Sequence, residues 1–125
     1  MKIHNRHTGG AIYESDAPTV KETVENAVKA RANLAGANLK YANLKGARLA
    51  RAKGIISIGP VGRQNRIIYA VRHPGAVYVK AGCFWGTLEE FACAVIAKYG
   101  ERRDEYDAAI RLIRAKFKTP EGGKR

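Results

Sequence analysis

The chain has 125 residues, of which 46% are hydrophobic and 27% are charged. These proportions are ordinary for a soluble globular protein, and they argue against a wholly disordered chain and against a membrane protein. The charge balance is unusual, because 23 Lys and Arg residues against 11 Asp and Glu residues leave a net charge of +12. A strongly positive protein attracts anions, so the composition indicates a kind of partner and names no reaction.

The positive charge is concentrated in the middle half of the chain. No acidic residue occurs from Asn26 to Leu88, whereas eleven basic residues do. Charge that only keeps a protein soluble normally mixes both signs over the surface. We therefore expect the middle of the chain to present an anion-binding surface, with scattered solubility charge as the alternative.

Cysteine usage and targeting signals point to a cytoplasmic protein. Cys83 and Cys93 lie ten residues apart without metal-ligand spacing. We expect two buried, reduced thiols, with a disulfide between them as the alternative. No apolar segment approaches the ~18 residues of a membrane-spanning helix, and no signal-peptide pattern follows Met1. We therefore expect no membrane partner.

The N-terminal thirty residues predict a hairpin and a helix. Residues 2–6 and 10–14 have the alternation of two short strands around a glycine turn. Thr19 followed three residues later by Glu22 is a capping box, in which each residue bonds the other's backbone N–H. A helix is therefore predicted from this point to about Arg31.

A five-residue pattern follows the predicted helix. Ala-Asn-Leu begins at Ala32, recurs at Ala37 and Ala42, and becomes Ala-Arg-Leu at Ala47. A fifth, degenerate unit without leucine begins at Ala52. A period of five fits neither a helix nor a strand, so it predicts a stacked coil with one small and one large apolar residue of each unit pointing inward.

From Ala32 to Lys53 the pattern resembles the pentapeptide-repeat family, whose unit is Ala-(Asp/Asn)-Leu-X-X. The resemblance implies a right-handed, four-sided coil with four units per turn and with alanine and leucine buried. This length gives about one turn, which cannot cover its own leucines. We therefore expect segment 32–53 to pack against the flanking helix and strands inside a single domain of residues 1–118. The open end of such a coil also makes a homodimer an expectation.

Period-two patterns in the second half of the chain predict a three-stranded antiparallel sheet. The strands are predicted at residues 55–59, 66–71 and 76–81. The loop of residues 73–75 is tight enough to join the last two strands in a hairpin. Residues 82–87 are predicted to lead from the third strand into a helix.

Two helices are predicted to complete the fold. Thr87 followed by Glu90 is a second capping box, which predicts a helix through Tyr99. The last helix is predicted from about Arg103 to Phe117, and residues 119–125 are expected to be a flexible tail. The fold class predicted from the sequence is therefore α+β.

The sequence contains no recognisable catalytic constellation. His4, His7 and His73 have no Glu or Cys partner at metal-ligand spacing, so we expect solvated or turn histidines. Cys83 lies near a predicted helix start without an accompanying base, and a core thiol is the expectation. We therefore predict a protein that is not an enzyme and that uses neither a metal nor a cofactor.

Cations and aromatic residues alternate in the predicted sheet. Arg66 and Arg72 project from one face of their strand, and Tyr78 and Lys80 project from one face of the next. If the register brings these faces together, the surface could bind phosphates and stack bases. The predicted ligand-binding residues are Arg63, Arg66, Arg72, Tyr78, Lys80, Trp85 and Thr87.

Two loops could add backbone N–H groups to this site. Residues 59–63 form a glycine-containing loop that ends in Arg63, and successive N–H groups in such a loop can cradle a phosphate. Residues 82–87 lead to a helix start, which also attracts anions. Core packing is the alternative for Trp85 and the expectation for Phe84.

The outward positions of the repeats carry cations and no acid. Some pentapeptide-repeat proteins inhibit topoisomerases by presenting a DNA-like acidic surface, and a positive surface disfavours that function. The charge instead fits an acidic protein or a nucleoprotein as partner. The residues predicted to form this partner surface are Lys40, Lys45, Arg48 and Arg51.

Residues 59–117 resemble small bacteriophage-encoded proteins in their segments 59–63 and 82–91. The resemblance implies an accessory protein in the bacterial host cell that acts by binding, as counter-defence proteins do. The leading prediction is non-enzymatic capture of a nucleotide or cyclic oligonucleotide. The alternatives are an inhibitor that docks its basic repeats on an acidic or nucleic-acid-binding partner, and direct nucleic-acid binding.

Overall fold

The computed structural model describes residues 1–118, so the predicted tail lies outside the described residues. The strands are β1 (Lys2–His4), β2 (Ala11–Glu14), β3 (Ile55–Val61), β4 (Arg66–His73), β5 (Ala76–Ala81) and β6 (Phe84–Thr87). The helices are α1 (Val20–Lys29), α2 (Leu88–Tyr99) and α3 (Asp104–Phe117), with a short 3-10 turn at Gly100–Arg102. The α+β class predicted from the sequence is confirmed.

The larger sheet has four antiparallel strands in the order β3-β4-β5-β6, whereas β1 and β2 form a separate hairpin. The prediction of three strands was wrong, because residues 84–87 pair with β5 instead of forming a loop. In this pairing Trp85 lies opposite Lys80 and Phe84 lies opposite Ala81. The turn between β5 and β6 is short enough that the chain reverses and adds one more strand before α2 begins.

The helix starts follow the capping pattern of the sequence. The Thr19 side chain accepts a hydrogen bond from the Glu22 N–H at the start of α1. At the start of α2 the Thr87 hydroxyl accepts from the Glu90 N–H, and the Glu90 carboxylate accepts from the Thr87 N–H. None of the helices within residues 1–118 is long and apolar enough to span a membrane.

The repeat segment is built from a turn that recurs every five residues. From Ala37 to Ala52, the N–H of each repeat alanine bonds the carbonyl of the leucine three residues earlier, as Ala37 does with Leu34 and Ala42 with Leu39. After four units the chain lies beside its own start, since the Leu34 N–H bonds the Lys53 carbonyl at 2.8 Å in a parallel bridge. The five-residue period therefore has a backbone basis.

The four-stranded sheet separates two hydrophobic cores. One face packs on α2 and α3, where Ile68, Val79 and Ile113 are fully buried. The other face packs on the repeat segment, α1 and β1, where repeat leucines such as Leu34 and Leu44 are buried. The sheet therefore covers the leucines that a single turn of repeats leaves open, and each buried leucine contributes about 2 kcal/mol.

Hydrogen bonds fix the repeat segment to β4. The buried Tyr69 hydroxyl donates to the Leu44 carbonyl at 2.8 Å. The Arg72 carbonyl accepts from the Gly36 N–H at 2.6 Å, and the Arg72 N–H donates to the Gly54 carbonyl at 2.8 Å. These bonds give turn carbonyls and amides the partners that neighbouring coils supply in a long repeat array.

Candidate functional site

The predicted ligand-binding residues lie on both faces of the large sheet. Arg72 pairs with Val77, whereas Tyr78 pairs with Val71. Because residues opposite each other in a sheet share a face, Arg72 lies on the helix face, and Tyr78 and Lys80 lie on the repeat face. The expectation that these residues share one surface was therefore wrong.

The length of the β4–β5 turn explains this error. The sequence pattern predicts a three-residue loop at 73–75, whereas His73 pairs with Ala76 around a two-residue turn. One residue fewer in the turn shifts the register by one, and a shift of one moves every side chain of the partner strand to the opposite face.

Three of the predicted residues are separated from the others. The Arg72 guanidinium lies 4.9 Å from the centre of the Phe117 ring on the helix side. Arg63 lies at the end of the 59–63 loop, in a depression that also includes Asp104 and Glu105. Thr87 is the N-cap of α2, so its hydroxyl is bonded within the protein.

The protein's own carboxylates occupy the two backbone sites that were predicted to attract phosphate. In the 59–63 loop, the Gly62 N–H donates to a Glu105 carboxylate oxygen at 2.6 Å. At the start of α2, the Glu90 carboxylate accepts from the Thr87 N–H at 2.8 Å. A bound anion would have to displace these carboxylates, so neither position supports an anion site.

Two of the predicted ligand residues meet one residue of the predicted partner surface in a cleft between the repeats and the sheet. This central cleft has a volume of about 330 Å³. Its cations are Lys45 from the repeats, Arg66 from the start of β4, and Lys80 from β5. The lining residues are 42–45, 64–67, Tyr69, Lys80 and Gly82. No carboxylate belongs to this lining, so Lys45 and Lys80, with Arg66 at the edge, have no internal counter-ion in the cleft.

Lys80 is the most buried cation of the central cleft. The residue is only 7% exposed, and its ammonium group donates to the Gly82 carbonyl at 2.7 Å. Burial lowers the pKa of Lys80, because desolvation disfavours the charged form. An ammonium group has three protons to donate, and within residues 1–118 this carbonyl is its one hydrogen-bond partner.

Arg66 lies at the edge of the central cleft. By strand alternation its side chain shares the helix face with Ile68 and Arg72, and it also lines a cavity on that face with Tyr99 and Tyr106. The space where a Gly82 side chain would begin is filled by the Arg66 guanidinium, and the Gly82 carbonyl binds Lys80. One guanidinium nitrogen of Arg66 donates to the Gln64 side chain at 2.7 Å, whereas its buried Nε has no partner among the described residues. The glycine therefore lets two cations approach the same backbone segment.

An aromatic and histidine cluster lies next on the repeat face. The His73 ring lies 4.5 Å from the Tyr78 ring, and Tyr78 lies 5.3 Å from Trp85. The Arg6 guanidinium lies 4.0 Å from the centre of the Tyr78 ring. Tyr78 and Trp85 therefore contact each other as expected for a pair on one face, but His73 and Arg6 pack on them. The sequence pattern gave no signal for Arg6, because its contact spans more than seventy residues.

His73 is buried in this cluster, so the prediction of a solvated or turn histidine was wrong for this residue. It is 3% exposed, and its Nε2 lies 3.1 Å from the Ala37 carbonyl. Its Nδ1 accepts from the Arg6 Nε–H at 3.3 Å. These two bonds fit the neutral ring. Burial, together with the positive charge of Arg6, lowers the pKa of His73 to about 4.

The predicted partner-surface residues do not form one continuous wall. Lys40 lies 5.1 Å from the Tyr41 ring, whereas Lys45 lines the central cleft. The Arg48 backbone N–H donates to the Glu25 carboxylate of α1, and Arg51 lines a different cleft beside the end of α1. All four side chains are exposed, but successive units present them to different neighbours.

The remaining reactive side chains are dispersed. Cys83 and Cys93 are both free and exposed, so the expectation of buried thiols was wrong. No group of three or more His, Cys, Asp or Glu residues that could hold a metal ion occurs within residues 1–118. In the same range, Arg103 and Asp107 form the one ion pair, at 3.1 Å. The cations of the middle half therefore have no carboxylate partner among the described residues.

Comparison with known proteins identifies the repeats and nothing beyond them. A family model for pentapeptide repeats (8 copies) matches residues 30–53, which confirms the resemblance seen from Ala32 to Lys53. No curated protein and no solved structure matches the chain. The resemblance of residues 59–117 to small phage-encoded proteins therefore stays a prediction. Residues 30–53 of this α+β protein are a segment of pentapeptide repeats.

Proposed function

We propose that this protein is a non-enzymatic binding protein that captures a phosphate-bearing anion of the nucleotide class in the central cleft. Lys45 and Lys80 would hold the phosphate, with Arg66 at the edge of the cleft. The repeat segment supplies one wall of the cleft, and the start of β4 and the end of β5 supply the other. The function is thus a property of how the repeats pack on the sheet.

The observation that carries this proposal is Lys80, a residue that is 7% exposed and whose partly buried ammonium group bonds a single carbonyl. Burying a charge without a paired counter-ion costs several kcal/mol, so buried lysines are rare unless they have a partner. A methionine of similar volume would fill the same space without that cost. An anion that enters the cleft would supply the missing counter-ion and acceptors for the remaining N–H groups of Lys80.

The other candidate positions strengthen the case by contrast. The Glu105 carboxylate accepts a hydrogen bond from the Gly62 N–H of the 59–63 loop, and the Glu90 carboxylate accepts one from the Thr87 N–H at the N-terminus of α2. In the central cleft, no carboxylate is among the lining residues, although three cations converge there. Compared with those two positions, the central cleft offers an external anion less internal competition.

The size of the central cleft limits the ligand. A volume of about 330 Å³ is at the lower end of the range for small-molecule sites, about 300–1,000 Å³. It suits a phosphate with a sugar or a base better than a whole cyclic oligonucleotide. Trp85 and Tyr78 lie outside the lining, so base stacking on them is not part of the proposed site.

Calorimetric titration with AMP and with inorganic phosphate tests the proposal. Wild-type protein should bind AMP, and Lys80→Met should weaken binding at least tenfold. Because Lys80→Met removes a buried charge, its thermal midpoint should equal or exceed that of wild type. Loss of binding without loss of stability is the combination expected of a ligand site. The fluorescence of Trp85, which pairs with Lys80 and is the one tryptophan in the sequence, offers a second readout.

Lys116→Met on α3 is the matched control, since it removes the same charge from an exposed position. This control should bind AMP within twofold of wild type. If Lys80→Met binds AMP as tightly as wild type, or if the control weakens binding equally, the central cleft is not the site. If AMP and phosphate do not bind wild type at all, small-anion capture of this class fails.

A second candidate function is docking of the basic repeat surface on an acidic or nucleic-acid-binding partner. The observation that favours it is Tyr41, which is 88% exposed and has a φ of 67°. The corresponding positions of the neighbouring units are Gly36 and Gly46, which adopt such angles without strain. A tyrosine that gains no packing at a strained position fits an anchor for a partner, with Lys40 beside it. Failure of AMP binding together with intact folding would shift the preference to this function.

We also infer the finer architecture and setting of the protein. The return of the chain beside itself after four units supports about one turn of a right-handed four-sided coil. The residue patterns at 59–63 and 82–91 support a phage accessory role, in which nucleotide capture in the cytoplasm of a bacterial host would act as counter-defence. Neither inference is needed for the AMP titration to be decisive.

A further inference from the structure

A second basic cleft lies where the end of α1 meets the last repeats. This α1 cleft has a volume of about 460 Å³. Four of its six lining residues are exposed cations, and the other two are Val28 and Ala50. The cations are Lys29, Arg31, Arg51 and Lys53. The α1 cleft shares no lining residue with the central cleft.

The repeat geometry places the two arginines of the α1 cleft at equivalent positions on neighbouring chain segments. Asn33 and Lys53 are partners in a parallel bridge, and Arg31 and Arg51 each precede one of these partners by two residues. Neighbouring backbones in such pairings lie about 4.8 Å apart. The two arginine side chains therefore start from equivalent positions on adjacent chain segments. Like charges in this arrangement repel each other.

Both arginines also have an unfavourable backbone conformation. The φ angles are 60° for Arg31 and 66° for Arg51, in the left-handed region that favours glycine. In the same five-residue series, Gly36 and Gly46 are glycines, whereas Tyr41 shares the positive φ. Arginine at these positions is thus disfavoured twice, by its backbone and by its neighbour's charge.

The ordinary structural role of such cations explains only part of the cluster. Basic residues near the end of a helix complement its dipole, which accounts for Lys29 in the last turn of α1 and for Arg31 just beyond it. Arg51 and Lys53 belong to the repeats and have no carboxylate partner among residues 1–118. Arg51 and Lys53 therefore double the positive charge of the α1 cleft without forming a stabilising ion pair within the described residues.

We propose that the α1 cleft is a second anion site, which binds closely spaced phosphate groups. Forked guanidinium groups at neighbouring positions match the oxygens of adjacent phosphates, and each fork can form two parallel hydrogen bonds. The two lysines add charge on either side. The ligand is either a free polyphosphate chain or the phosphodiester backbone of a single-stranded nucleic acid, since both present phosphates at short intervals.

The test uses the full chain with both arginines replaced by glycine, Arg31→Gly together with Arg51→Gly. Glycine suits the left-handed backbone, so this variant should keep or raise the thermal midpoint. The matched control is Arg111→Gln together with Lys116→Gln on α3, which removes the same charge from exposed positions. Titrations use inorganic tripolyphosphate by calorimetry and a fluorescently labelled ten-nucleotide oligothymidylate by anisotropy.

We expect the glycine variant to lose at least tenfold in affinity for one of the two probes and the control to stay within twofold of wild type. Loss for tripolyphosphate assigns the site to free polyphosphates, and loss for the oligonucleotide alone assigns it to nucleic acid. Equal losses in variant and control would overturn the proposal, because net charge would then explain binding. Absence of binding by wild type to both probes would also overturn it. Lys80→Met should leave these affinities unchanged, so the result is independent of the central cleft.

Discussion

Lys80 and His73 are two buried titratable side chains on the same face of the sheet, and their charged forms have different consequences. Lys80 keeps a donor group in a cleft that is open to ligands, and burial makes its charge costly. His73 packs between aromatic rings and bonds Ala37 and Arg6 in its neutral form. In the proposed site a bound anion would pair the charge of Lys80, whereas a charge at His73 would oppose the fold at all times. The two residues therefore predict different experiments.

Stability should fall in mild acid because His73 must stay neutral in the folded state. Its pKa is about 4 in the folded protein and 6.5 when unfolded, so the unfolded chain binds the proton more tightly. The stabilisation is complete above pH 6.5 and is lost as pH falls toward 4. The expected loss is roughly 3 kcal/mol, from about 1.4 kcal/mol per pKa unit. Urea denaturation at pH 7.0 and pH 4.5 measures it.

His73→Gln provides the comparison, because an amide can donate to the Ala37 carbonyl but cannot take up a proton in this range. The variant should be less stable at pH 7.0 and should lose much less than wild type between the two pH values. His4→Gln, at an exposed position, should follow wild type. An undiminished pH dependence in His73→Gln would show that another group controls the acid sensitivity.

At the scale of elements, local signals predicted the segments well and their pairing poorly. The capping boxes at Thr19 and Thr87 and the Ala-Asn-Leu units each involve residues within five positions of one another. The faces of β4 and β5 depend on one residue in the intervening turn, and His73 pairing directly with Ala76 could not be read from the Pro-Gly pattern alone. Strand β6 was missed although its signal is local: Gly82 and Cys83 form a two-residue hairpin turn between the paired Ala81 and Phe84.

The close approach of two repeat units at Gly54 gives a prediction at this scale. A Cβ at Gly54 would overlap the Ala35 backbone nitrogen, in a residue with a φ of 81°. Gly9 has a similar φ of 76° and nothing within 4 Å of such a Cβ. Gly9→Ala should therefore cost about 1 kcal/mol for its backbone conformation. Gly54→Ala should cost at least ~3 kcal/mol, because backbone atoms must also move.

Chemical denaturation of the two alanine variants separates these contributions. The difference between them isolates the contact between Gly54 and Ala35, since the backbone penalty is shared. It would show how strongly the return of the chain after four units holds the repeat segment together. Equal losses in the two variants would mean that this junction can spread apart at little cost.

At the scale of the whole molecule, the sheet buries the leucines of the short repeat segment and forms the second wall of the central cleft. One face of the sheet covers the repeat leucines, and the same packing joins Lys45 of the repeats to Arg66 and Lys80 of the sheet. The sequence predicted an anion-binding middle from the lack of acids between Asn26 and Leu88. It could not predict which cations converge, because the central cleft combines residues whose proximity is set only by how the repeats pack on the sheet.

The two basic clefts should act as independent sites, and thermal stability offers a test of the whole arrangement. A ligand at a hundredfold its dissociation constant adds about 2.7 kcal/mol, which for a chain of this length is a rise of roughly 10 °C. The proposed clefts for AMP and tripolyphosphate share no lining residue. In moderate salt the increases in thermal midpoint that the two ligands cause should therefore add. At low salt the sum should fall short, because each bound anion weakens the positive field that attracts the other.

Differential scanning calorimetry with each ligand and with both measures this coupling. Lys80→Met should lose only the rise from AMP, and the double glycine variant of Arg31 and Arg51 should lose only the rise from tripolyphosphate. Sodium chloride at matched ionic strength should produce neither rise, because it binds neither cleft specifically. If both ligands together raise the midpoint no further than one alone in moderate salt, they compete for a single site, and the division into two clefts is wrong.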